Sequence, residues 1–208
     1  MLRLDHVLYA ARDLDAAADR FLDAHGLASV AGGAHAGWGT ANRVVPLRDG
    51  TYVELIAVVD RAVASRTRLG RAIGDAVQAG DAWFALCLSD DELDRTAARL
   101  RLDVTEGSRR RPDGHVISWR SAGIEEPRRT ADLPFFIAWN PPADAHPSTT
   151  SVSHPSGAHG IALVEISGDP DAFADWTGGA RLPVTVSEGA PAMIAVTVTS
   201  PSGDRRIV

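Results

Sequence analysis

One order of predicted elements occurs twice in this chain, and this repetition constrains its fold more than any other feature. Residues 4–10 are apolar with β-branched and aromatic members, which predicts a strand. Asp13 is typical of a helix N-cap, and apolar residues follow it at helical spacing. Three further strands are predicted over 28–31, 40–47 and 51–58, with a hairpin signal at Asp49-Gly50. The first 58 residues therefore predict the order β-α-β-β-β.

The same order returns after a helix predicted over residues 63–79. Residues 83–89 predict a strand, and Asp90 or Asp91 is the expected cap of the next helix. Three more strands are predicted over 103–107, 115–121 and 133–139, with a turn at Pro112-Asp113-Gly114. Superposing the two helix starts gives a period of about 79 residues. The sequence therefore predicts two copies of one β-α-β-β-β module.

A third, shorter pattern follows the two copies. A loop rich in Pro, Ser, Thr and His leads to strand signals over 159–167, 182–188 and 193–200, with a helical turn over 171–176. We expect five segments: a first module (1–60), a helical connector (61–81), a second module (82–140), the loop (141–158) and a partial third module (159–208).

The composition excludes several kinds of chemistry. All 21 basic residues are Arg, so no lysine can form a Schiff base or contact a nucleotide phosphate in a P-loop. The net charge of -6 argues against a nucleic-acid partner. The Arg109-Arg110-Arg111 run before the predicted turn is typical of a solvated loop. Acid–base chemistry is therefore expected from His or Glu side chains.

Cysteine usage and hydropathy set the expected location. The single Cys87 excludes an intrachain disulfide and lies in an apolar run, which predicts a buried, inert thiol. The N-terminal residues lack the apolar stretch of a signal peptide, and no run of about 18 apolar residues predicts a membrane span. We expect a cytoplasmic protein without a membrane partner.

Two stretches of the first module resemble a known group of proteins. They are Leu4-Asp5-His6-Val7 with the following Arg12-Asp13-Leu14-Asp15, and the glycine-rich residues 32–43 followed by 49–55. Together they resemble the vicinal-oxygen-chelate superfamily (glyoxalase I, extradiol dioxygenases, fosfomycin-modifying enzymes and bleomycin-binding proteins), and in particular its glyoxalase-like domain branch. The resemblance implies an α+β fold, in which repeated β-α-β-β-β modules form curved mixed sheets around a cleft.

The resemblance also implies a divalent metal held by the first and fourth strand of each module. His6 and Glu54 occupy these positions in the first module, and such ligands suit Zn, Fe, Mn or Ni. In the second module the equivalent positions fall on Ala85 and Phe136, which cannot bind a metal. His159, or alternatively His146 or His154, is the candidate for a third ligand.

The other candidate site residues lie in the glycine-rich stretch of the first module, except for Trp139 at the end of the last predicted strand of the second module. We expect Glu54 and His35 to act as catalytic groups. The expected substrate-binding residues, chosen for their hydrogen-bonding or aromatic side chains, are Trp38, Asn42, Arg43 and Trp139. A salt bridge between Glu54 and Arg43 or another Arg is the structural alternative to a catalytic role for Glu54.

Two functions remain open at this point. The first is a metal-dependent lyase, isomerase or dioxygenase-like enzyme acting on a small oxygen-rich molecule. The second is a metal-free protein that binds or sequesters a small molecule, which the missing ligands of the second module favour. Modules of this kind often pair between chains, so a homodimer is also expected.

Overall fold

The computed structural model describes residues 1–111, 114–127, 129–140 and 146–208. The turn predicted at Pro112 and Asp113, and residues 141–145 of the predicted loop, lie outside the described residues. The elements are β1 (Leu2–Ala10), α1 (Leu14–His25), β2 (Val30–His35), β3 (Thr40–Pro46), β4 (Tyr52–Val58), α2 (Arg61–Ala64), α3 (Arg68–Ala76), β5 (Ala82–Asp90), α4 (Leu93–Leu100), β6 (Val104–Arg110), β7 (Val116–Ala122), β8 (Phe135–Trp139), β9 (Gly160–Gly168), α5 (Pro170–Thr177), β10 (Val184–Glu188), β11 (Ala192–Thr199) and β12 (Arg205–Ile207).

The first eight strands close into a single barrel in the order β1-β4-β3-β2-β6-β7-β8-β5. In each module the first and fourth strands pair in parallel, and the other pairs are antiparallel. The modules join along the antiparallel β1–β5 ladder, and on the far side at the pair Ala34–Arg110. The predicted α+β fold of repeated β-α-β-β-β modules is confirmed.

Local sequence signals set the ends of α1 as predicted. The Asp13 carboxylate accepts hydrogen bonds from the amides of Asp15 and Ala16, which satisfies donors that the first helical turn leaves free. Gly26 ends the helix in the left-handed conformation (φ 64°), where a side chain would add strain. Between these ends, the apolar face of α1 packs on the outside of the barrel.

The connector differs from the single helix predicted over 63–79, because it contains two helices. Thr67 begins α3 by accepting a hydrogen bond from the amide of Gly70, so the chain restarts a helix there instead of continuing α2. Gly70 also packs against Ala64, and a Cβ at Gly70 would lie 2.6 Å from the Ala64 Cα. This close contact sets the bend between α2 and α3.

Two other local predictions were wrong. The second strand covers Val30–His35 instead of 28–31, so its glycines lie within the sheet. The N-cap of α4 is Glu92, which makes no side-chain capping bond, although Asp90 accepts a hydrogen bond from the Glu92 amide. Neither aspartate is therefore the cap.

The register between the modules fixes which residues are equivalent. Val7 pairs with Leu86, 79 positions further along the chain, so the local two-fold axis passes between them. This register confirms Ala85 as the equivalent of His6. Leu8 lies beside Glu54 in β4, and its equivalent Cys87 lies beside Phe135 in β8. The equivalent of Glu54 is therefore Phe135, and the alignment with Phe136 was wrong by one residue, which puts a side chain on the opposite face of a strand.

The third segment forms a separate four-stranded sheet in the order β10-β9-β11-β12. Its elements follow the order of the two modules, but its first strand pairs in parallel with the strand directly after the helix. The Trp83 indole donates to the Ile207 carbonyl, and this sheet shares one apolar cluster with the outside of the barrel. Within the described residues, no helix combines the length and hydropathy that a membrane crossing requires.

Candidate functional site

The barrel encloses a narrow cavity of about 30 Å³ that opens to solvent at one mouth. It has an apolar wall, to which α3 contributes Leu69, and a cluster of buried polar groups. The polar and aromatic side chains that line it are His6, His35, Trp38, Asn42, Tyr52, Glu54, Arg109, Trp119, Phe135 and Trp139. Since side chains alternate along each strand, His6 and Leu8 point inward, whereas Val7 packs into the outer core.

His6 lies between two carboxylates. Its Nδ1 is 2.6 Å from Asp5 Oδ1, and its Nε2 is 3.4 Å from Glu54 Oε2. The ring also stacks on Tyr52, with centroids 4.4 Å apart. These contacts orient the imidazole so that Nε2 points into the cavity toward Glu54.

Asp5 is the buried anchor of this cluster. It also accepts hydrogen bonds from the Trp139 indole (3.0 Å) and from His146 Nε2 (3.3 Å). Burial raises the pKa of this carboxyl, but hydrogen bonds from His146 and His6 outweigh it and hold the pKa well below its usual range. Asp5 is therefore an anion, and His6 Nδ1 is the donor toward it.

Glu54 belongs to a second polar chain that crosses from one module to the other. The Asn42 amide donates to Glu54 Oε1 at 2.6 Å, and the Asn42 carbonyl accepts from Arg109 Nη1 at 2.7 Å. Gly32 makes room for this chain, because a Cβ there would overlap both Asn42 Oδ1 and Arg109 Nη1. Asn42 thus holds the Glu54 carboxylate in place through a neutral amide.

His35 lies on the other side of Glu54. Its Nε2 is 4.0 Å from Glu54 Oε1, and its Nδ1 contacts the Thr40 hydroxyl at 3.0 Å. Burial lowers the pKa of His35 to about 4, against the opposing influence of Glu54. At neutral pH the ring is therefore uncharged and can donate or accept a hydrogen bond.

Aromatic side chains form much of the remaining wall. Trp119 lies between Trp38 and Trp139, with ring centroids 6.4 and 5.6 Å away. The Trp119 ring packs directly over Gly107, where any side chain would overlap it. This wall suits a ligand with a flat apolar part.

The residues do not form the four-ligand metal site that the resemblance implied. His6 and Glu54 are in place, but Ala85 and Phe135 occupy the equivalent positions. Among the described residues, one group of three potential ligand atoms lies within 4.8 Å of one another, namely those of Asp5, His6 and Cys87. There the carboxylate already has three donors, and burial raises the pKa of the Cys87 thiol well above its usual value.

Most of the predicted site residues come together. His6, His35, Trp38, Asn42, Glu54 and Trp139 all line the cavity. Arg43 does not, because it lies on the outer face of β3, where it hydrogen-bonds Ser29 and pairs with Asp15. His159 precedes β9 with an exposed side chain and does not line the cavity.

The other two candidate histidines also lie outside the cavity. His146 hydrogen-bonds Asp5 and packs edge-on against Tyr52 and Trp139 from outside the cavity. His154 contacts the Pro46 carbonyl and the Ala28 amide. None of the three therefore lies beside both His6 and Glu54 as the third ligand would.

The polar and aromatic cavity residues that the sequence interpretation missed are Tyr52, Arg109, Trp119 and Phe135. The arginine run was interpreted as a solvated loop, but β6 extends through Arg110, and alternation turns Arg109 inward while Arg110 faces solvent. The sequence signal that could have identified Arg109 was the alternation of inward and outward residues in the predicted strand 103–107, extended to residue 110. Trp119 alternates in the same way within β7, where Ile117 and Ser121 are also buried.

A family model described as "Glyoxalase-like domain" matches residues 4–180. No curated protein is significantly similar in sequence. The solved structure of a hypothetical protein from Staphylococcus aureus has a TM-score of 0.72 and 14% identity to this chain, covering 99% of this chain and 98% of that one. Methylmalonyl-CoA epimerase from Mycobacterium tuberculosis has a TM-score of 0.46 and 20% identity, with 68% and 89% covered. The Staphylococcus aureus structure shows that the whole fold, including the third sheet, also occurs in another protein.

Proposed function

Because the chain belongs to the glyoxalase-like domain family, within the vicinal-oxygen-chelate superfamily, we propose that it is an enzyme that moves a proton on a small carbonyl compound. In this proposal the substrate binds in the barrel cavity and Glu54 is the general base. The reaction class is an isomerisation or a lyase reaction that begins with removal of a proton next to a carbonyl group.

One observation carries the proposal: Glu54 is a buried carboxylate inside the barrel cavity, oriented by Asn42 and facing His6. Among the described residues, no Arg nitrogen lies within 4.0 Å of Glu54, so the salt bridge to an arginine that would have given this carboxylate a purely structural role is absent there; its charged-type contacts are with His6 and His35. A positioned carboxylate that is shielded from water is suited to act as a base.

The proposed reaction begins with transfer of a proton from the substrate to Glu54. Glu54 takes the proton from the carbon next to the carbonyl group, and the electron pair of the broken C–H bond moves toward the carbonyl oxygen to give an enolate. In this proposal the neutral His35 ring donates a hydrogen bond to the enolate oxygen. Glu54, now a neutral acid, returns the proton to the same or an adjacent carbon.

A divalent cation is the second candidate component of the site. His6 Nε2 and Glu54 Oε2 lie 3.4 Å apart, close to the roughly 3.4 Å that separates two ligands at about 2.0–2.1 Å from a tetrahedral zinc ion. The Asp5 carboxylate orients His6 as such partners orient metal-bound histidines. The ion would supply Lewis-acid stabilisation of the enolate. Because Ala85 and Phe135 cannot act as ligands, water or substrate would have to supply the other ligands of the ion.

The test is proton exchange into solvent. Wild-type protein is incubated in deuterium oxide with a panel of small ketones, 2-oxo acids and 2-hydroxy ketones, and exchange next to the carbonyl group is followed by nuclear magnetic resonance. We expect exchange with at least one class, and a loss of about 10²- to 10⁴-fold in Glu54→Gln, which is the usual contribution of a general base.

The control and the metal measurement separate the candidates. His159→Gln, which changes an exposed histidine, should exchange at the wild-type rate. Equal rates in Glu54→Gln and wild type would contradict the proposal. Saturable binding without exchange in any class would favour the sequestering protein. A stoichiometric divalent ion in the purified protein, lost in His6→Ala, would establish the metal-dependent form.

A further inference from the structure

Arg109 is a buried cation without an anionic partner. Its side chain enters the cavity from β6 and is 4% exposed. Its Nη1 donates to Asn42 Oδ1, while its Nε is buried without a hydrogen-bond partner. Within the described ranges, no carboxylate oxygen lies within 4.0 Å of its nitrogens. A guanidinium stays charged at any physiological pH, so this burial is costly unless an anion compensates it.

Glu54 does not fill this role. The Asn42 side chain stands between the two charged groups and uses both ends of its amide, one toward each. The Arg109 charge therefore remains available inside a cavity whose walls are largely aromatic. A ligand with an anionic oxygen is the partner that this arrangement lacks.

We propose that Arg109 binds the carboxylate of the ligand, and that the ligand is a small carboxylic acid with a flat apolar body. The inference deepens the proposed function, since it names the substrate class of the same cavity. The tryptophans would contact the apolar body while Arg109 holds the carboxylate. Because a single amide separates Arg109 from Glu54, the proton removed would come from a carbon close to that carboxylate.

The geometry supports ligand binding over a role limited to bracing Asn42. A brace needs only the Nη1 contact, and Gln or Lys at this position could also donate one hydrogen bond. Asn42 uses Nη1, whereas the unpartnered Nε lies on another edge of the guanidinium together with Nη2, and two parallel donors on one edge match the two oxygens of a carboxylate.

The test compares two probes of nearly equal shape and different charge. Phenylacetate and phenylacetamide are titrated into the full chain, and quenching of tryptophan fluorescence reports binding because Trp38, Trp119 and Trp139 line the cavity. We expect wild type to bind phenylacetate about 10- to 100-fold more tightly, the range that charge-assisted hydrogen bonds provide. Arg109→Gln should lose this preference while its affinity for the amide is unchanged.

Two further variants make the test specific. Arg110→Gln removes the neighbouring exposed arginine on the outer face of β6 and should bind both probes as wild type does. Arg109→Lys keeps the charge without the planar pair of donors and should retain only part of the preference. If Arg109→Gln does not fold, Arg109→Lys still tests the inference. A preference for phenylacetate over phenylacetamide equal to that of wild type would contradict carboxylate binding through two donors.

The outcomes are independent of turnover. Equal affinity of wild type for the two probes, no binding of either at millimolar concentration, or a preference that persists in Arg109→Gln would overturn the inference. Glu54→Gln should bind phenylacetate at least as tightly as wild type, because it removes a nearby negative charge. Loss of exchange in Glu54→Gln without a probe preference would support the proposed function alone, and a preference without exchange would support this inference alone.

Discussion

The two modules build the same half-barrel but line the cavity differently. The first module contributes the polar cluster of His6, His35, Asn42 and Glu54. At the positions equivalent to His6 and Glu54, the second module has Ala85 and Phe135, and it adds the wall of Trp119 and Trp139. Its buried cation, Arg109, is the exception. One copy of the fold therefore provides the reactive groups, while the other provides an apolar surface and one charge.

The largest expected effect tests the equivalent positions Phe135 and Glu54. Phe135→Ala should lower the free energy of unfolding by about 3–5 kcal/mol, since it removes a buried aromatic ring from the inner core. Glu54→Gln should cost less than about 1.5 kcal/mol, because the Gln oxygen can still accept from Asn42. Urea denaturation of both variants measures the difference. Similar losses would mean that Glu54 is as structural as Phe135.

The second-largest expected effect is the loss of stability at low pH caused by His35, a member of the polar cluster of the first module. Burial lowers the pKa of His35 to about 4, so the unfolded chain binds a proton more readily than the folded one. Above about pH 6.5 the protonation of His35 does not affect the free energy of unfolding. As the pH drops from there toward 4, this free energy falls by about 3 kcal/mol in total. His35→Gln should reduce the acid-induced loss, measured as unfolding free energy at pH 7 and pH 4.5. His159→Gln is the matched control, and an equal change in both variants would refute the assignment.

The smallest expected effect compares the two faces of β3. Arg43→Gln removes the exposed contact with Asp15 and should change the free energy of unfolding by about 0.2–1 kcal/mol. It should leave proton exchange and probe binding as in wild type, whereas Asn42→Ala on the inner face should impair exchange. If Arg43→Gln impaired exchange as strongly, the outer face of β3 would belong to the site.

Much of the fold followed from the sequence because its signals are local. Alternating apolar residues, the Asp13 cap and Gly26 identified the elements, and their repetition identified the modules. The errors arose where non-local contacts decide. Packing of Gly70 against Ala64 determines the bend in the connector. The different strand order of the third sheet depends on pairings that no local pattern encodes.

Residues of the site could be predicted where the sequence shows which side chains of a strand face the cavity. Glu54 was identified because the family resemblance implied a site residue at this position of the fourth strand. Phe136 was aligned in place of Phe135 because an error of one residue leaves the apolar pattern almost unchanged. Arg109 was missed because three consecutive arginines resemble a solvated loop, and only the length of β6 shows which of them faces inward.

The pairing of Val7 with Leu86 has a further consequence. A residue that meets its own counterpart across a two-fold axis is the mark of a symmetric interface between two identical subunits. In an assembly of separate identical subunits, each substitution appears in both halves, so a polar side chain gained by one wall is forced on the other. Covalent joining of the two copies removes this constraint. It allows Glu54 and Phe135 to differ, and so allows one cavity to have a reactive side and an apolar side.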